Sequence, residues 1–395
     1  MIETADVVVI GGGVIGAACA EALSRHWRNV VLLERAGLAS GTSSACQSGV
    51  GHGVFADDYD LALDRAAIDA CREFAEDDAS IGYHKTGALL VCGANEAAAV
   101  KGRVQALARL GLNCDWLDAS AVRQVEPNLA TPYEGALRLN DMGQVSPMRL
   151  VVELVRRASA RGAKILTGTE VTGLISDSGR IAGVQTTQGR IATDRVVIAA
   201  GVWSRRIAKF LHLALPIWPL KGHVIVTEPL RGALRHYITE AEYEVGAASF
   251  AEVEMTEEGP RSATPRTAAV LQPLPSGQIL IGSSREFADD RDVARQRLCE
   301  ISQRAAKVLP LLRETRAIRS YAGLRPWTPD GRPLVGPTAA VEGLTIAAGH
   351  GGEGNTRSLI TGRLIEDLLT GRTPPIDPAP LSPDRFDLRM SPASA

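Results

Sequence analysis

The feature that most constrains this chain is a glycine turn between a strand and a helix, in the segment ADVVVIGGGVIGAACAEALSRHWRNVVLLERAG (Ala5–Gly37). Residues Val7–Ile10 are an unbroken run of β-branched residues, which indicates a buried parallel strand. The segment Val14–Arg25 is rich in Ala and favours a helix directly after the turn. A second apolar run, Val30–Leu33, ends at Glu34. This order of elements predicts the start of a parallel sheet covered by helices.

The turn has the spacing G-x-G-x-x-G, formed by Gly11, Gly13 and Gly16. In a dinucleotide-binding fold the first glycine permits the tight turn and the second lets the backbone approach a pyrophosphate at the helix N-terminus. The third glycine allows close packing of helix and strand. Glu34 follows at the position where a carboxylate accepts hydrogen bonds from ribose hydroxyls and repels a 2′-phosphate. The pattern predicts a dinucleotide site, and the alternative is a tight turn without a ligand.

Length and charge narrow the class of protein. A chain of 395 residues exceeds the usual size of one hydrophobic core and predicts two domains. The 43 Lys and Arg residues nearly balance the 45 Asp and Glu residues. No basic cluster is interleaved with aromatic residues, which argues against nucleic acid or an anionic membrane surface as a partner. Small molecules and proteins are the expected partners.

The N-terminal segment and the cysteines bear on compartment and metal content. The first apolar run follows acidic residues and is too short to cross a membrane, so we expect a cytoplasmic protein without a membrane span. The six cysteines include no C-x-x-C pair. We therefore expect free thiols, no metal site and no iron–sulfur cluster in this chain.

The middle of the chain distinguishes between two dinucleotides. Residues 164–201 contain short β-rich runs separated by Ser-Gly and Gln-Gly turns, which predicts a β-meander that leads into a strand at Arg195–Ala199. A simple nicotinamide-binding Rossmann domain would continue with alternating strands and helices. The meander therefore favours FAD over NAD.

Strand-like runs also occur in two other long segments, and they predict a second, largely antiparallel sheet inserted twice into the first domain. The predicted fold class is α/β (α+β): a Rossmann-like FAD-binding domain with a β-meander, plus an inserted, mainly antiparallel substrate domain. The predicted boundaries are 1–81, 141–215 and 321–372 for the FAD-binding domain, 82–140 and 216–320 for the substrate-binding domain, and 373–395 for a proline-rich, extended tail.

A second glycine cluster lies near the C-terminus, in GLTIAAGHGGEGNTRSLITGRLIEDLLTG (Gly343–Gly371). The segment predicts a strand, a glycine-rich turn and a helix that ends at Gly371. The helix start near Gly354 and Asn355 offers N–H groups and a positive dipole end, which would suit the negative charge of a reduced flavin. The alternative is an ordinary glycine-rich loop.

Taken together and in this order, six motifs resemble the D-amino-acid oxidase superfamily of FAD-dependent oxidoreductases over nearly the whole chain. They are VVVIGGGVIGAACAEAL, GTSSACQSG, GQVSPMRLVVEL, VVIAAGVWS, GLRPWTPDGRPLVGP and AAGHGGEGNT. The superfamily includes glycine oxidase and sarcosine oxidase. A looser similarity points to the catalytic β subunits of heteromeric opine (octopine or nopaline) dehydrogenases and of hydroxyproline and proline dehydrogenases.

The resemblance implies which residues bind FAD. The implied cofactor-binding residues are Gly11, Gly13, Val14, Ile15, Gly16, Glu34, Arg35, Ser43, Ser44, Gly49, Val171, Ala200, Gly201, Trp203, Gly351, Gly352, Glu353, Gly354 and Asn355. Some members attach the flavin to a cysteine shortly before the TPD stretch, where this chain has Ser320, Tyr321 and Ala322. We therefore expect noncovalent FAD.

The resemblance also implies three catalytic candidates. Arg325 occupies the arginine of the G-L-R-P motif, which in glycine-oxidase-like members holds the substrate carboxylate. A guanidinium suits this task because its fork binds a carboxylate through two parallel hydrogen bonds. His52 falls where the family brings loop residues near the isoalloxazine ring, and Tyr321 is the third candidate. The alternatives are that Arg325 belongs to a structural salt bridge and that His52 is structural.

The activity implied by the resemblance is oxidation of the carbon–nitrogen bond of an amino-acid-type amine, opine-like or an imino acid, by hydride transfer to flavin N5. The imine then hydrolyses to a 2-oxo acid and an amine. The expected protein is the catalytic subunit of a heteromeric dehydrogenase, with FMN and an iron–sulfur cluster at or on a second flavoprotein-like subunit and a small iron–sulfur subunit. The alternatives are a free-standing glycine or D-amino-acid oxidase that uses O2, and a noncatalytic flavin-binding scaffold subunit. The loop Met255–Thr267 and the proline-rich tail are the expected partner contacts.

Overall fold

The structure of the protein is a computed structural model. It describes residues 3–54, 56–130, 133–242, 253–256, 259–261 and 265–389. Two large sheets, of six and eight strands, hold most of its described strands. The strands are β1 Val7–Ile10, β2 Val30–Leu33, β3 Gly49–Val50, β4 Ala88–Cys92, β5 Cys114–Asp118, β6 Gly135–Leu139, β7 Gly143–Gln144, β8 Lys164–Leu166, β9 Val171–Asp177, β10 Arg180–Thr186, β11 Gly189–Ile191, β12 Val196–Ile198, β13 Trp218–Thr227, β14 Tyr237–Glu240, β15 Glu254–Thr256, β16 Gly259–Arg261, β17 Arg266–Pro273, β18 Ile279–Phe287, β19 Ala317–Trp327, β20 Leu334–Pro337 and β21 Leu344–Ala348.

The described α-helices surround these sheets. They are α1 Val14–Leu23, α2 Asp58–Asp77, α3 Ala94–Arg109, α4 Ala119–Val125, α5 Pro147–Ala160, α6 Ser204–Ala208, α7 Arg295–Val308 and α8 Gly354–Thr370. Within the described residues, no helix is both long enough and apolar enough to span a membrane.

The six-stranded sheet has the order β20-β21-β12-β1-β2-β8. Its strands run parallel except for β20, which is antiparallel to β21 at one edge. Every residue of β1 and β2 is buried, so the prediction of a buried parallel strand at Val7–Ile10 is confirmed. Helix α1 begins at Val14 as predicted and ends at Leu23, two residues before the predicted end.

Two hydrophobic cores cover the faces of this sheet. On one face α1 and α8 pack against the strands through residues such as Cys19, Leu23 and Leu364. On the other face lies the predicted β-meander, a three-stranded sheet of order β11-β10-β9. Helix α8 is terminated by Gly371, which has the left-handed conformation (φ +73°). A residue with a side chain would be strained in this conformation, and glycine is not.

The eight-stranded sheet has the order β19-β13-β18-β17-β14-β4-β6-β5 and is antiparallel except between β14 and β4. One hydrophobic core packs α7 against it through Ile301 and Ala305. Both chain segments predicted for the second domain contribute strands, so the mainly antiparallel sheet is confirmed. The domain boundaries stay a prediction, and β19 runs through the boundary placed between residues 320 and 321.

The proline-rich segment differs from the expected extended tail. Residues 373–389 include two short 3-10 turns and pack on the first domain, with Leu381 and Leu388 buried. The N–H of Ala214 donates to the carbonyl of Leu388 (2.8 Å). The described tail thus has a packing role within the chain, which weakens its interpretation as a partner contact. Residues 390–395 and parts of the loop Met255–Thr267 lie outside the described residues.

Candidate active site

One cavity of about 440 Å³ lies between the two large sheets, and both contribute to its walls. Most of the residues assigned a cofactor or catalytic role from the sequence line it: Gly11, Gly13, Val14, Ile15, Glu34, Arg35, Ser43, Gly49, His52, Val171, Ala200, Gly201, Trp203, Arg325, Gly351, Gly352, Glu353, Gly354 and Asn355. Three predicted residues, Gly16, Ser44 and Tyr321, are not among its walls.

The glycine turn forms the floor of the cavity. Gly11 has φ +115°, and a Cβ there would come within 2.5 Å of the Ala199 carbonyl oxygen. A Cβ at Gly16 would overlap the Gly11 carbonyl oxygen, so this glycine serves close packing behind the turn. Gly13 precedes α1, and the first helical N–H, of Val14, donates to Ser43 Oγ (3.0 Å). The turn thus exposes backbone where a side chain would fill the space.

Glu34 lies at the end of β2, beside this turn. Its Oε2 accepts a hydrogen bond from the N–H of Gly12 (2.8 Å), and its Oε1 accepts from the N–H of Ala36 (2.8 Å). The two bonds fix the carboxylate in one orientation at the cavity wall. Next to it the Arg35 guanidinium stacks on the Trp203 ring, with 4.3 Å between the guanidinium carbon and the ring centroid.

A second helix start lies across the cavity. Helix α8 begins at Gly354 after the glycine cluster, and Glu353 at its N-cap position makes no side-chain capping bond. Asn355 Nδ2 donates to the Gln47 carbonyl (2.9 Å) and to Cys46 Sγ (3.4 Å), which ties the loop after β2 to the helix. The starts of α1 and α8 thus bring their positive dipole ends to one cavity.

These residues fit FAD. A glycine turn at a helix N-terminus accommodates a pyrophosphate, and a fixed carboxylate at the end of the second strand suits a ribose. The start of α8 offers a positive end to a second part of the same ligand. Gly11, Gly13 and Val14 would therefore hold the pyrophosphate, Glu34 the ribose, and the residues around Gly354 the flavin.

Arg325 lies on the opposite wall. It belongs to the edge strand β19, and its guanidinium passes over Gly222 of the neighbouring strand, where a Cβ would overlap it. Nη1 donates to the Ser284 carbonyl (3.0 Å) and Nη2 to Ser283 Oγ (2.6 Å). These two bonds hold the guanidinium in one orientation at the cavity wall.

His52 is 6% exposed and lines the same cavity. Its Nδ1 is buried and has no hydrogen-bond partner among the described residues. Burial lowers the pKa of His52 to about 4, so the ring is neutral at physiological pH. A buried ring nitrogen without a partner at a cavity wall is a ready hydrogen-bonding group for a ligand.

Tyr321 and Ser44 have other contacts. The Tyr321 hydroxyl donates to the Cys46 carbonyl (3.0 Å), and burial raises the pKa of the phenol. Ser44 Oγ donates to the Gly41 carbonyl (3.3 Å). Tyr321 thus supports the loop that lines the cavity, and the roles predicted for Tyr321 and Ser44 stay predictions.

Sequence reasoning missed several wall residues. Cys46 and Gln47 lie in the quoted GTSSACQSG motif, and His350 lies in the quoted AAGHGGEGNT motif, so the motif positions were the available signal. Others lie on four strands of the eight-stranded sheet or beside it, and no local pattern marks them: Leu90, Leu139, Met142, Tyr237, Ser283 and Arg285.

A family model described as FAD dependent oxidoreductase (DAO) matches residues 6–368. The chain belongs to this family. Glycine oxidase of Geobacillus kaustophilus is 30% identical, over 97% of each chain. The crystal structure of glycine oxidase from this organism superimposes with a TM-score of 0.85 and 28% identity, covering 98% of this chain and 100% of that one.

Two further relatives have names other than glycine oxidase. Hydrogen cyanide synthase subunit HcnC of Pseudomonas aeruginosa is 28% identical, over 98% of this chain and 97% of that protein. D-amino acid dehydrogenase of Bradyrhizobium diazoefficiens is 28% identical, over 73% of this chain and 63% of its own. The predictions of the family, of the mixed α/β fold and of an FAD-dependent enzyme are confirmed. The relatives include both oxidases and dehydrogenases.

Proposed function

We propose that this chain oxidises the carbon–nitrogen bond of an amino-acid-type amine. The carrying observation is the Arg325 guanidinium, which lines the same cavity as the glycine turn and the start of α8. A guanidinium that is held in place opposite a flavin site suits a ligand with a carboxylate next to the reacting carbon. The names of the relatives, glycine oxidase and D-amino acid dehydrogenase, support a substrate of this class.

The residues of the chain have separate tasks in this reaction. Arg325 binds the carboxylate through its fork and so orients the Cα–H bond. His52, neutral and buried, hydrogen-bonds the polar part of the substrate and carries no charge that would repel an amine. FAD, when bound, supplies the acceptor for the hydride, and water then hydrolyses the resulting imine to a 2-oxo acid and an amine. A strong protein base is not required once the amine is neutral.

Among amino-acid-type amines we propose a secondary amine, opine-like or an imino acid. The support is the motif similarity to opine and proline dehydrogenase β subunits, together with the side chains that line the cavity. Its walls extend to apolar side chains that include Leu90, Leu139 and Met142. These would accommodate a carbon substituent on nitrogen that glycine lacks.

An anaerobic reduction screen tests the proposal. The FAD-loaded chain is mixed with opines, D-amino acids, proline derivatives and N-methylglycine, and loss of the flavin absorbance is followed. We expect bleaching by a carboxylate-bearing amine, fastest with a secondary amine. Bleaching only by primary D-amino acids would contradict the secondary-amine proposal. If no amine bleaches the flavin, the chain is a noncatalytic scaffold subunit.

We further propose that the chain works as one subunit of a heteromeric dehydrogenase in the cytoplasm. HcnC, similar over nearly its whole length, is itself named a subunit. All six cysteines are free thiols, as expected in a reducing compartment. The expected partners are a second flavoprotein-like subunit and a small iron–sulfur subunit, with FMN and the cluster on those chains or at their interface.

The similarity to glycine oxidase favours a second candidate, a free-standing oxidase. Purification from the source cells and turnover assays separate the two. A heteromeric dehydrogenase co-purifies with the partner chains and reduces an artificial dye much faster than O2. A fully active, monodisperse monomer that produces stoichiometric peroxide would show the oxidase.

A further inference from the structure

Arg325 reaches across the sheet at an irregularity between β13 and β18. The two strands pair at Lys221 with Glu286 and again at Ile225 with Ile281, with a register shift between. Four residues of β18 therefore oppose three residues of β13, which is a β-bulge. Bulges often redirect side chains near active sites. Ser283 and Ser284, which both accept hydrogen bonds from Arg325, lie within this bulge.

His223 fixes the bulge from the opposite face of the sheet. Its side chain is fully buried, and Nε2 accepts a hydrogen bond from the N–H of Ala294 (3.2 Å). The proton is therefore assigned to Nδ1, which donates to Ser284 Oγ (2.8 Å). The backbone N–H of His223 also donates to Ser284 Oγ (3.1 Å), where a regular ladder would use a carbonyl. The Ser284 carbonyl is thus directed to Arg325.

We propose that His223 is a positioning residue that aims Arg325 at the substrate carboxylate by holding the bulge at Ser284. The inference rests on the carboxylate-binding role proposed for Arg325. Adjacent residues on a strand point to opposite faces. Gly222 accordingly leaves room for the guanidinium on the cavity face, while His223 holds Ser284 on the other.

The charged groups around His223 are consistent with this role. Glu286 Oε1 lies 3.7 Å from His223 Nδ1, and Arg297 in turn contacts Glu286 (3.4 Å). Lys221 pairs with Asp290 (2.5 Å). Burial lowers the pKa of His223, so the neutral ring with a single donor persists in the folded chain. Because the Ala294 N–H can only donate, it fixes the direction of both hydrogen bonds of the neutral ring.

Two substitutions separate positioning from a structural role. His223→Asn places an amide donor near the position of Nδ1 and so retains the bond to Ser284 Oγ, while the bond from Ala294 is lost. His223→Gln places an amide oxygen near the position of Nε2, which retains the bond from Ala294 and loses the bond to Ser284. Ser284→Ala removes the same bond from the other side.

The probe is benzoate, with neutral benzamide as its control, and both are titrated into the FAD holoprotein and followed by the flavin absorption change. Positioning predicts that His223→Gln and Ser284→Ala weaken benzoate binding about tenfold, because a misdirected guanidinium would lose one of its two hydrogen bonds to the carboxylate. Benzamide binding and FAD retention should not change. His223→Asn should bind benzoate almost as tightly as the wild type.

The reverse order, with binding retained by His223→Gln and lost by His223→Asn, would overturn the inference, because it would trace the effect to the anchoring of Ala294. Equal benzoate affinity in all variants would overturn it too. Arg325→Ala tests the proposed function separately. If this variant keeps the wild-type preference for benzoate over benzamide, or if the wild type has none, the carboxylate role of Arg325 fails and the inference fails with it. If Arg325→Ala loses the preference for benzoate but the His223 variants bind benzoate as tightly as the wild type, only the positioning role fails.

Discussion

The two walls of the cavity are specified by different kinds of group. On the six-stranded-sheet side, the ligand meets backbone: the turn at Gly11 and Gly13 and the starts of α1 and α8. On the eight-stranded-sheet side it meets side chains, above all Arg325 and its supports. Backbone recognition is set by short local motifs, whereas side-chain recognition depends on strands that lie far apart in the sequence. The first wall suits a cofactor shared by a family, and the second can change with the substrate.

The largest expected effect tests the wall on the six-stranded-sheet side, where the ligand meets backbone. Gly13→Val should abolish FAD binding, because the valine side chain would occupy the space over the helix start. Gly13 has φ −79°, a conformation that valine adopts readily, so the loss would reflect space rather than backbone strain. FAD retention after gel filtration and a thermal melt measure the two effects. Gly37→Val is the matched control, since a Cβ at Gly37 has no neighbour within 4 Å. A folded Gly13→Val protein that keeps its FAD would refute the placement.

The next effect concerns the wall on the eight-stranded-sheet side, where the ligand meets side chains. Arg325→Ala should lose about 2 to 5 kcal/mol of transition-state binding in the reductive half-reaction and keep its FAD. Arg325→Lys should also be poor, because a point charge does not replace the fork. Anaerobic stopped-flow reduction over a range of substrate concentrations measures the loss. The exposed Arg180, outside the cavity walls, provides the control variant Arg180→Ala. Wild-type rates in Arg325→Ala would mean that the residue is structural.

A third prediction uses pH. The pKa of a free histidine is about 6.5, and burial lowers the pKa of His52 to about 4. Between these values the unfolded chain binds a proton that the folded chain does not, so stability should fall as the pH drops from about 6.5 towards 4. The share of His52 in the loss between about pH 7 and pH 4.5 is about 2 to 3 kcal/mol.

Denaturant unfolding of the holoprotein at both pH values measures this share. His52→Gln should show a smaller loss than the wild type, although His350, whose pKa burial lowers to about 3, retains its own contribution. His84→Gln, at an exposed histidine, is the control and should behave as the wild type. Identical pH dependence in His52→Gln and the wild type would contradict the buried, neutral ring.

The smallest effect separates backbone from side-chain contributions to FAD affinity on the six-stranded-sheet side of the cavity. Arg35→Gln removes the stacking on Trp203, which is worth about 0.5 to 1 kcal/mol at an exposed site, so FAD affinity should fall only about two- to fivefold. Titration of the apoprotein with FAD gives the dissociation constant. A loss as large as that of Gly13→Val would show that side chains, and not the turn, dominate cofactor binding.

The features that the sequence predicts are those set by local motifs, and the features that it does not predict depend on strands far apart in the sequence. The strand Val7–Ile10, the start of α1 and the end of α8 at Gly371 were predictable, because runs of β-branched residues and glycines act locally. The support of Arg325 by Ser283, Ser284 and His223 was not, since it requires the register of three strands and a bulge within it. The contact of the Tyr321 hydroxyl with the Cys46 carbonyl was not predictable for the same reason: a motif gives sequence neighbours and not the direction of a side chain.

The order of strands in the six-stranded sheet has a consequence for biosynthesis. β1, translated first, is flanked by β2 and β12, and β12 completes its own pairing only with β21. Helix α8, which follows β21, supplies both a packing face for α1 and one of the two helix ends at the cavity. A nascent chain can therefore form the glycine turn early but cannot close the site around it until residues 344–370 have left the ribosome. Stalled or truncated chains should then expose the apolar face of α1, and FAD loading should be one of the last steps in the maturation of this protein.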